Sequence, residues 1–230
     1  MSMKRPRAAR PLIHDLYERP MSGEAIEARS LEIIDQEAEK NGFSQGEWTV
    51  VRRMVHTTAD FDLIPNVRFS PDAVQSGIRA LRSGAPLYVD SNMIRSGLSM
   101  ARLRRVNPAY GPDLVFSHVA DEDISAQAGA TGLPRSLFAV RKAVGMLDGA
   151  VAVFGNAPVA LLELNRMIME NEVKPALVIG MPVGFVHVVE SKKELMSLAC
   201  DYIVVAGRRG GSPLAVSVIH ALCGLAENSG

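Results

Sequence analysis

Five short apolar runs, separated by stretches with helical periodicity, constrain the fold of this chain more than any other feature. The runs are rich in β-branched residues or almost continuously apolar, which is typical of parallel strands buried on both faces. They are Pro86–Asp90, Leu114–Val119, Ala150–Phe154, Ala176–Gly180 and Tyr202–Ala206. Repeated strand–helix units favour a parallel sheet with right-handed crossovers. We therefore predict an α/β fold, a single three-layer domain with a mostly parallel, about five-stranded sheet flanked by helices.

Helical patterns lie between these runs and ahead of them. Those beyond residue 130 are Pro134–Leu147, Pro158–Glu170, Ser191–Ala199 and Ser212–Leu225. Upstream, a helix is predicted from a cap at Ser22 to about Lys40. Its expected buried face consists of Ile26, Ile33 and Ile34. Ser70-Pro71-Asp72 combines a cap, an N1 proline and an acidic first turn, so it predicts a further helix, which Gly84 ends. Residues 61–68 are expected to form an irregular connection.

The α/β domain is expected to span residues 21–230, after a basic and flexible tail over residues 1–20. Four of the first ten residues are Lys or Arg, and no apolar segment follows that would make them a secretory signal. No internal repeat or linker divides the rest of the chain. The length of 230 residues is sufficient for one domain with a substantial core.

The charge balance argues against nucleic acid and membrane as partners. Lys+Arg and Asp+Glu each number 25, so the chain has no overall bias towards polyanions. The most apolar run, Ala176–Val189, is too short to span a membrane and is interrupted by glycine and proline.

Cys200 and Cys223 match neither a zinc spacing nor a disulfide framework, which favours a reduced, cytoplasmic setting.

Searches for catalytic motifs exclude several kinds of site. No H-x-x-x-H or C-x-x-C occurs, and His14, His118, His187 and His220 are scattered, so we expect no metal site. The chain has no G-x-S-x-G nucleophile elbow. It also has no Walker loop and no G-x-G-x-x-G after the first strand, so nucleotide binding is only weakly supported. Asp121-Glu122-Asp123 is interpreted as an acidic helix start. No cofactor is expected.

The stretch Arg52–Asp60 combines a helix end with a cation and an imidazole. Ser44 and Glu47, just upstream, have the S-x-x-E spacing of a capping box. The apolar stripe of this helix is expected to consist of Trp48, Val51 and Val55. Arg53 and His56 are three residues apart and so share a helix face, and the helix dipole favours a protonated imidazole there. From the spacing alone, a capped surface helix with a solvated histidine is favoured over a catalytic site.

Ser30 is expected on the same helix face as Ile26, four residues earlier. A hydroxyl in that position must find a hydrogen-bond partner. The usual partner is the carbonyl one turn back, and a ligand contact is the alternative.

Segments that follow the five strands are expected to meet at the carboxyl edge of the sheet, where α/β proteins bind ligands. Besides 90–93 and 120–123, three of them are rich in glycine: Gly155–Pro158, Gly180–Phe185 and Gly207–Ser212. Their backbones can approach a ligand closely, and N–H groups at helix starts suit anions. Arg208 and Arg209 add guanidiniums for carboxylates, and 134–136 repeats this pairing of a helix start with Arg and Ser. A large, polyanionic, partly apolar ligand is indicated, although each loop alone fits an ordinary strand–helix turn equally well.

With these motifs in order, the sequence closely resembles the precorrin-8X methylmutases, including the cobalt-precorrin-8 form. The resemblance is colinear from about Ser22 to Leu225. The matching stretches are Arg52–Asp60, Gly84–Pro86, Gly155–Pro158, Lys174–Leu177, Gly180–Phe185, Glu190–Lys192 and Gly207–Ser212.

The resemblance implies an isomerase of cobalamin synthesis that moves a methyl group from ring carbon C11 to C12. It implies a homodimer that binds a tetrapyrrole, either precorrin-8X or its cobalt form. By position, His56 matches the family's proton donor/acceptor, and Ser30 and Arg53 match substrate-binding positions. The resemblance therefore favours functional roles for these three residues over the structural roles that spacing alone favoured. The full expected substrate-binding set is Ser30, Arg53, Arg135, Ser136, Asn156, Arg208, Arg209 and Ser212.

The sequence departs from the family pattern at four positions. Pro134 replaces the threonine of a usual Thr-Arg-Ser, and Val159 replaces a threonine after Gly-Asn-Ala-Pro. His187 stands where a glycine normally follows Pro-Val-Gly-Phe-Val, and His220 replaces an asparagine. Two alternatives to a methylmutase therefore stay open: a corrinoid-binding or hand-over protein of the same fold, and a nucleotide-binding protein that uses the Arg208–Ser212 loop.

Overall fold

The computed structural model describes residues 11–39 and 42–228. The predicted basic segment Met1–Arg10 and the expected helix end at Lys40 lie outside these residues. The chain divides into two compact units, residues 1–38 and 39–230, whereas the sequence suggested a boundary between residues 20 and 21. The assignment of residues 1–20 as a flexible tail stays a prediction.

The first unit contains two helices, α1 (Ile13–Glu18) and α2 (Gly23–Glu37). The predicted cap is confirmed, since the Ser22 Oγ accepts a hydrogen bond of 3.1 Å from the Ala25 N–H. The predicted buried face is wrong at two of its three positions. Ile26 and Ile33 are 46% and 38% exposed, and only Ile34 is buried. Among the described residues of this unit, α1 buries none of its own side chains and so offers no packed surface over them.

The second unit contains the sheet and its covering helices. Its strands are β1 (Val67–Phe69), β2 (Leu87–Val89), β3 (Val115–Phe116), β4 (Val151–Phe154), β5 (Leu177–Gly180) and β6 (Tyr202–Val205). Its helices are α3 (Gln45–Thr58), α4 (Ala73–Ser83), α5 (Asn92–Gly97), α6 (Met100–Val106), α7 (Glu122–Thr131), α8 (Arg135–Lys142), α9 (Pro158–Met169), α10 (Val188–Met196) and α11 (Ser212–Asn228).

The six strands have the order β1-β6-β5-β4-β2-β3, and all neighbouring pairs except β1–β6 are parallel. The five predicted strands and the α/β fold class are confirmed. The sixth, β1, lies in the segment predicted as an irregular connection, where it follows a 3₁₀ helix (Phe61–Asn66) and pairs Val67 with Val205. Three residues are too few to show a strand periodicity in the sequence.

Helices cover both faces of the sheet, as three layers require. On one face, Val178 of β5 joins the apolar cluster that includes residues of α8, α9 and α10. The neighbouring residue Leu177 points to the other face, where a Cβ added to Gly77 of α4 would lie 3.0 Å from it and 2.8 Å from Leu222 of α11. Successive strand residues therefore face α9 and α11 alternately, which explains why β4 and β5 are apolar at every position.

The start of α4 corrects one sequence prediction. Ser70 is not the cap, because the helix begins after Asp72 and has no side-chain cap. The Ser70 hydroxyl instead donates to the Asp201 carboxylate at 2.7 Å and accepts from the Tyr202 N–H at 3.0 Å. A charged acceptor far along the chain is preferred to the local N–H groups. Gly84 ends the helix as predicted, with a left-handed φ of 72°.

Glu163 connects α8 to α9 through a buried carboxylate. Its Oε1 accepts hydrogen bonds of 2.8 Å from Arg141 Nε and 2.8 Å from Arg166 Nη2. Burial by itself would raise the pKa of Glu163, but the hydrogen bonds from Arg166 and Arg141 outweigh it and hold the pKa below its usual range. The ion pair therefore stabilises the fold above pH 4.5 and loses this effect as the pH falls through the lowered pKa.

We expect Glu163→Gln to lower the free energy of unfolding by about 1–2 kcal/mol at pH 7, because the charge-assisted hydrogen bonds from Arg141 and Arg166 lose their anionic acceptor. The difference from the unsubstituted protein should shrink when the pH falls below 4.5. Urea unfolding at both pH values measures it. The exposed Glu122→Gln is the control, with a change of about 0.5 kcal/mol or less. A Glu163→Gln penalty that grows in acid would contradict the assignment.

Candidate active site

A cavity of about 450 Å³ lies next to His56 at the carboxyl edge of the sheet. It is lined by Arg53, His56, Thr57, Met93, Gly97, Ser212, Pro213, Val216, Ser217 and His220. A larger cavity of about 810 Å³ lies at the opposite edge and is lined in part by Gly149, Ala176 and Asp201, which precede strands. Ligands of parallel sheets bind beyond the carboxyl ends of the strands. The smaller cavity, which also contains two imidazoles and a guanidinium, is therefore the candidate site.

Local sequence rules account for the helix that supplies His56. The capping box is formed as predicted: the Glu47 N–H donates to Ser44 Oγ at 3.3 Å, and the Ser44 N–H donates to Glu47 Oε2 at 2.8 Å. The apolar stripe of Trp48, Val51 and Val55 is buried. Arg53 and His56 lie outside this stripe, and their partly buried side chains line the same cavity.

The end of α3 is fixed by the residues that follow His56. Thr57 Oγ1 donates to the Arg53 carbonyl at 2.9 Å and Thr58 Oγ1 donates to the Met54 carbonyl at 3.0 Å. Ala59 then adopts a left-handed φ of 53°, which ends the helix. His56 thus lies in the last turn of α3, directly before the residues that end the helix.

The other wall of the cavity comes from α11, which packs along α3. His220 belongs to this wall, and its Nε2 accepts a hydrogen bond of 3.0 Å from the Ser99 N–H. An imidazole nitrogen that accepts carries no proton, so this contact fixes the tautomer of neutral His220. The side chain of His220 is thus tied to the backbone at the start of α6. Met93 and Thr57 also line the cavity, and although their segments were expected near this edge, neither residue was predicted as part of the site.

Asp90, at the end of β2, is the residue that organises the neighbouring loop. Its carboxylate is 2% exposed and accepts three backbone hydrogen bonds, from the N–H groups of Gly155 at 3.1 Å, Asn156 at 2.8 Å and Ala157 at 2.6 Å. Burial raises the pKa of Asp90, and the three N–H donors oppose that shift.

This contact changes the interpretation of the Gly155–Pro158 loop. The sequence suggested that its N–H groups suit a bound anion, but in the structure they already donate to Asp90. Asn156 is the residue of this loop that was predicted to bind substrate, and its exposed side chain remains available to a ligand. The sequence does contain a sign of this pairing. Asp90 directly follows one buried strand, and Gly155-Asn156-Ala157 directly follows the strand beside it.

The same loop packs directly against the start of α11. A Cβ on Gly155 would lie 2.8 Å from the Ser212 Cα, closer than side chains tolerate, so glycine is required there. The Ser91 and Ser212 hydroxyls are 3.1 Å apart. Since Ser212 also lines the cavity, the Asp90 loop and the cavity share a wall.

Arg208 and Arg209 lie in the loop after β6 but do not line the cavity. The Arg209 guanidinium lies 3.5 Å from Asp60 and 3.9 Å from Asp62, just beyond the end of α3. Arg208 lies over the ring of Phe185, 5.4 Å from its centroid. Phe185 is 83% exposed, so this pair presents an apolar face and a cation to the surroundings.

Lys192 of α10 carries a buried charge that contacts the loop after β6. It was not among the predicted site residues. Its side chain is 0% exposed, and Nζ donates to the carbonyls of Gly207 at 3.0 Å and Arg209 at 2.6 Å. Burial lowers the pKa of Lys192 to about 8. Its place in the Glu-Ser-Lys stretch was the only sequence signal.

The remaining expected residues lie elsewhere. Arg135 and Ser136 are in the first turn of α8 and are not part of the cavity lining, and Pro134 leaves this helix without a side-chain cap. Ser30 belongs to the first unit, and its Oγ donates to the Ile26 carbonyl at 2.8 Å, the usual partner for a helical serine.

His187 occupies a backbone position that suits glycine. Its φ of 60° lies in the left-handed region at the start of α10. A glycine, as expected here from the family pattern, would adopt this φ without strain. The substitution affects the backbone between the 180–185 loop and α10, and it does not involve the cavity lining.

Among residues 11–39 and 42–228, no group of three or more His, Cys, Asp or Glu side chains could hold a metal ion. No helix in these ranges combines the length and apolarity needed to span a membrane. Both cysteines are free thiols, and burial raises the pKa of Cys223 to about 12.

Comparisons with known proteins agree with the geometry. A family model described as precorrin-8X methylmutase matches residues 25–225. The chain belongs to the precorrin-8X methylmutase family. It is therefore an isomerase of the cobalamin pathway.

Individual members of this family align with nearly the whole chain. A cobalt-precorrin-8 methylmutase from Leptospira interrogans is 41% identical, covering 90% of this chain and 96% of its own. One from Priestia megaterium is 39% identical, covering 88% of both chains. The crystal structure of a precorrin-8X methyl mutase from Thermus thermophilus superimposes with a TM-score of 0.83 at 46% identity, covering 90% of this chain and 98% of that one.

We expect Asp90→Ala to lower the free energy of unfolding by about 3 kcal/mol or more, because three buried N–H groups lose their acceptor. Chemical denaturation measures this loss. Asp90→Asn keeps one acceptor oxygen and should lose less. An alanine variant as stable as the unsubstituted protein would show that the loop does not depend on the carboxylate.

Proposed function

We propose that the chain catalyses the methyl shift from C11 to C12 of precorrin-8X or its cobalt form, with His56 as the proton donor/acceptor. The proposal rests on one observation: His56 and Arg53 line the same cavity at the carboxyl edge of the sheet. Membership of the methylmutase family supports the reaction class. The products would be hydrogenobyrinate or, with cobalt, cobyrinate.

The residues of the cavity fit the demands of this rearrangement. A 1,5 methyl shift needs a conjugated ring held in one geometry and a proton placed near the migrating system. Positioning of the ring can lower the barrier by several kcal/mol. A well-placed acid contributes about 100- to 10,000-fold in rate. His56, in the last turn of α3 and on the cavity lining, is placed to act as that acid.

The substrate is a polycarboxylate much larger than the cavity of about 450 Å³, so only part of the ring enters it. We assign Arg53 to one substrate carboxylate beside His56, and Ser212 to a polar contact on the facing wall. Arg208 and Phe185 provide a cation and an exposed aromatic ring outside the cavity, suited to a carboxylate side chain and the edge of the macrocycle.

The other members of the expected substrate-binding set have weaker structural support. Asn156 presents an exposed amide on the Asp90 loop, and Arg135 and Ser136 lie at an uncapped helix start. Arg209 faces two carboxylates and would have to share its guanidinium with the substrate. The contact of Ser30 with substrate, the homodimer and the cytoplasmic location stay predictions from the resemblance.

His56→Ala should lower turnover by at least about 100-fold while tetrapyrrole binding remains measurable, because the acid is lost and the Arg53 contact is kept. Turnover is followed by the change in the absorption spectrum, and binding by the shift of the bound spectrum. His187→Gly, outside the cavity, is the control and should keep normal turnover. Near-normal turnover of His56→Ala would contradict the proposal.

The alternative of a corrinoid-binding protein without chemistry predicts a different result in the same experiment. The unsubstituted protein would shift the spectrum of the bound tetrapyrrole and then release it unchanged. The presence of an imidazole and a guanidinium on one wall of the cavity favours the enzyme.

We further propose that the cobalt-containing ring is the preferred substrate. The Thr57–Asp60 continuation resembles the cobalt-early branch, and the relatives from Leptospira and Priestia are named for cobalt-precorrin-8. With both substrates assayed side by side, kcat/KM should be at least about tenfold higher for the cobalt form, equal to about 1.4 kcal/mol. A preference for the metal-free ring would overturn this choice and leave the reaction type unchanged.

A further inference from the structure

The buried ammonium group of Lys192 has a place in the structure that neither the cavity nor the proposed proton transfer uses. Its Nζ donates to two backbone carbonyls, Gly207 at 3.0 Å and Arg209 at 2.6 Å. These carbonyls lie on either side of Arg208 in the chain. A single side chain from α10 thus holds the arginine-bearing loop at two points.

The physical cost of this arrangement is informative. Removal of an ammonium group from water costs several kcal/mol. The two hydrogen bonds from Nζ to carbonyls offset part of this cost. An apolar chain of similar length would fill the same space without that cost. The specific effect of Lys192 is therefore on the conformation of the loop that carries the two carbonyls.

Other contacts brace the same loop from the side of the Gly180–Phe185 segment. The Gly211 N–H donates to the Met181 carbonyl at 2.8 Å, and the Gly184 N–H donates to the Arg208 carbonyl at 3.3 Å. A Cβ on Gly210 would collide with the Met181 carbonyl oxygen, so the two segments lie in direct backbone contact. The carbonyls of residues 207, 208 and 209 are therefore all paired with neighbouring segments, which fixes the backbone from which both guanidiniums extend.

The held loop connects to the His56 helix. Arg209 lies 3.5 Å from Asp60, two residues beyond the end of α3. Arg208 stacks on Phe185. A change in the backbone at residues 207–209 would therefore move both guanidiniums relative to the candidate cavity without any change in the cavity lining itself.

We propose that Lys192 is a positioning residue, which holds the carbonyls of Gly207 and Arg209 so that the Arg208–Arg209 pair can bind a carboxylate side chain of the tetrapyrrole. This inference rests on the proposed function, in which those arginines contact the substrate. Lys192 itself touches neither substrate nor His56.

Steady-state kinetics of Lys192→Met on the tetrapyrrole substrate test the assignment. KM should rise about tenfold while kcat stays within about twofold, because substrate binding is weakened and the acid at His56 is intact. A residue needed only for stability would reduce the active fraction, which lowers the apparent kcat and leaves KM unchanged. The adjacent, exposed Lys193→Met is the matched control and should change neither parameter.

A double-mutant cycle shows whether Lys192 acts through the arginines. Arg208→Met with Arg209→Met should raise KM in the unsubstituted background. When Lys192→Met is added, KM should rise by less than about twofold further, since the positioned groups are already absent. Full additivity of the two effects on KM would overturn the proposal.

The outcomes separate this inference from the proposed function. If the arginine variant leaves KM unchanged, the arginines do not bind substrate and both assignments of the loop fail. If the arginine variant raises KM but Lys192→Met does not, only the present inference fails. If the unsubstituted protein shows no turnover, the tetrapyrrole dissociation constant replaces KM, and a tenfold rise in Lys192→Met supports the positioning role independently of catalysis.

Lys192→Gln, which keeps one donor, serves as the milder variant. If Lys192→Met does not fold, Lys192→Gln should give an intermediate rise in KM. Failure of both variants to fold, with Lys193→Met normal, would show that Lys192 supports the fold as a whole and would overturn the specific positioning role.

Discussion

The candidate site depends most on the hydrogen bonds that the buried carboxylate of Asp90 accepts from a neighbouring loop. Three consecutive N–H groups of the Gly155–Ala157 loop converge on it, so the loop has one conformation and α9 begins at a fixed place. That loop packs against Ser212, and Ser212 belongs to the cavity that contains His56. An internal anion thus takes the place at a helix start that an external anion occupies in many α/β proteins.

Lys192 has the opposite charge and contacts the opposite kind of backbone group. It binds carbonyls where Asp90 binds N–H groups, and both residues are buried at loops that follow strands of the parallel sheet. Glycine and proline make such loops tight, but they supply few side chains to hold them. The two buried charges supply such side chains, and each fixes several backbone groups of one loop.

Features that depend on near neighbours could be predicted from the sequence. The five strands followed from continuous apolar runs, and the Ser44–Glu47 capping box followed from its spacing. Contacts between distant residues could not be predicted. Ser70 binds Asp201 instead of its own helix, and the N–H groups of 155–157 bind Asp90 instead of a ligand. The strand β1 forms because β6 offers an open edge, which three residues of sequence do not reveal.

The packing of α3 against α11 has a consequence for the newly made chain. The helix that carries His56 is synthesised before the opposite wall of its cavity, which consists of residues from 212 onwards. Until those residues emerge from the ribosome, α3 lacks the helix along which it packs, and the imidazole lacks one wall of its cavity. This unit therefore cannot complete its folding before α11 is made, and a nascent chain that stops before Ser212 exposes an apolar surface suited to chaperones.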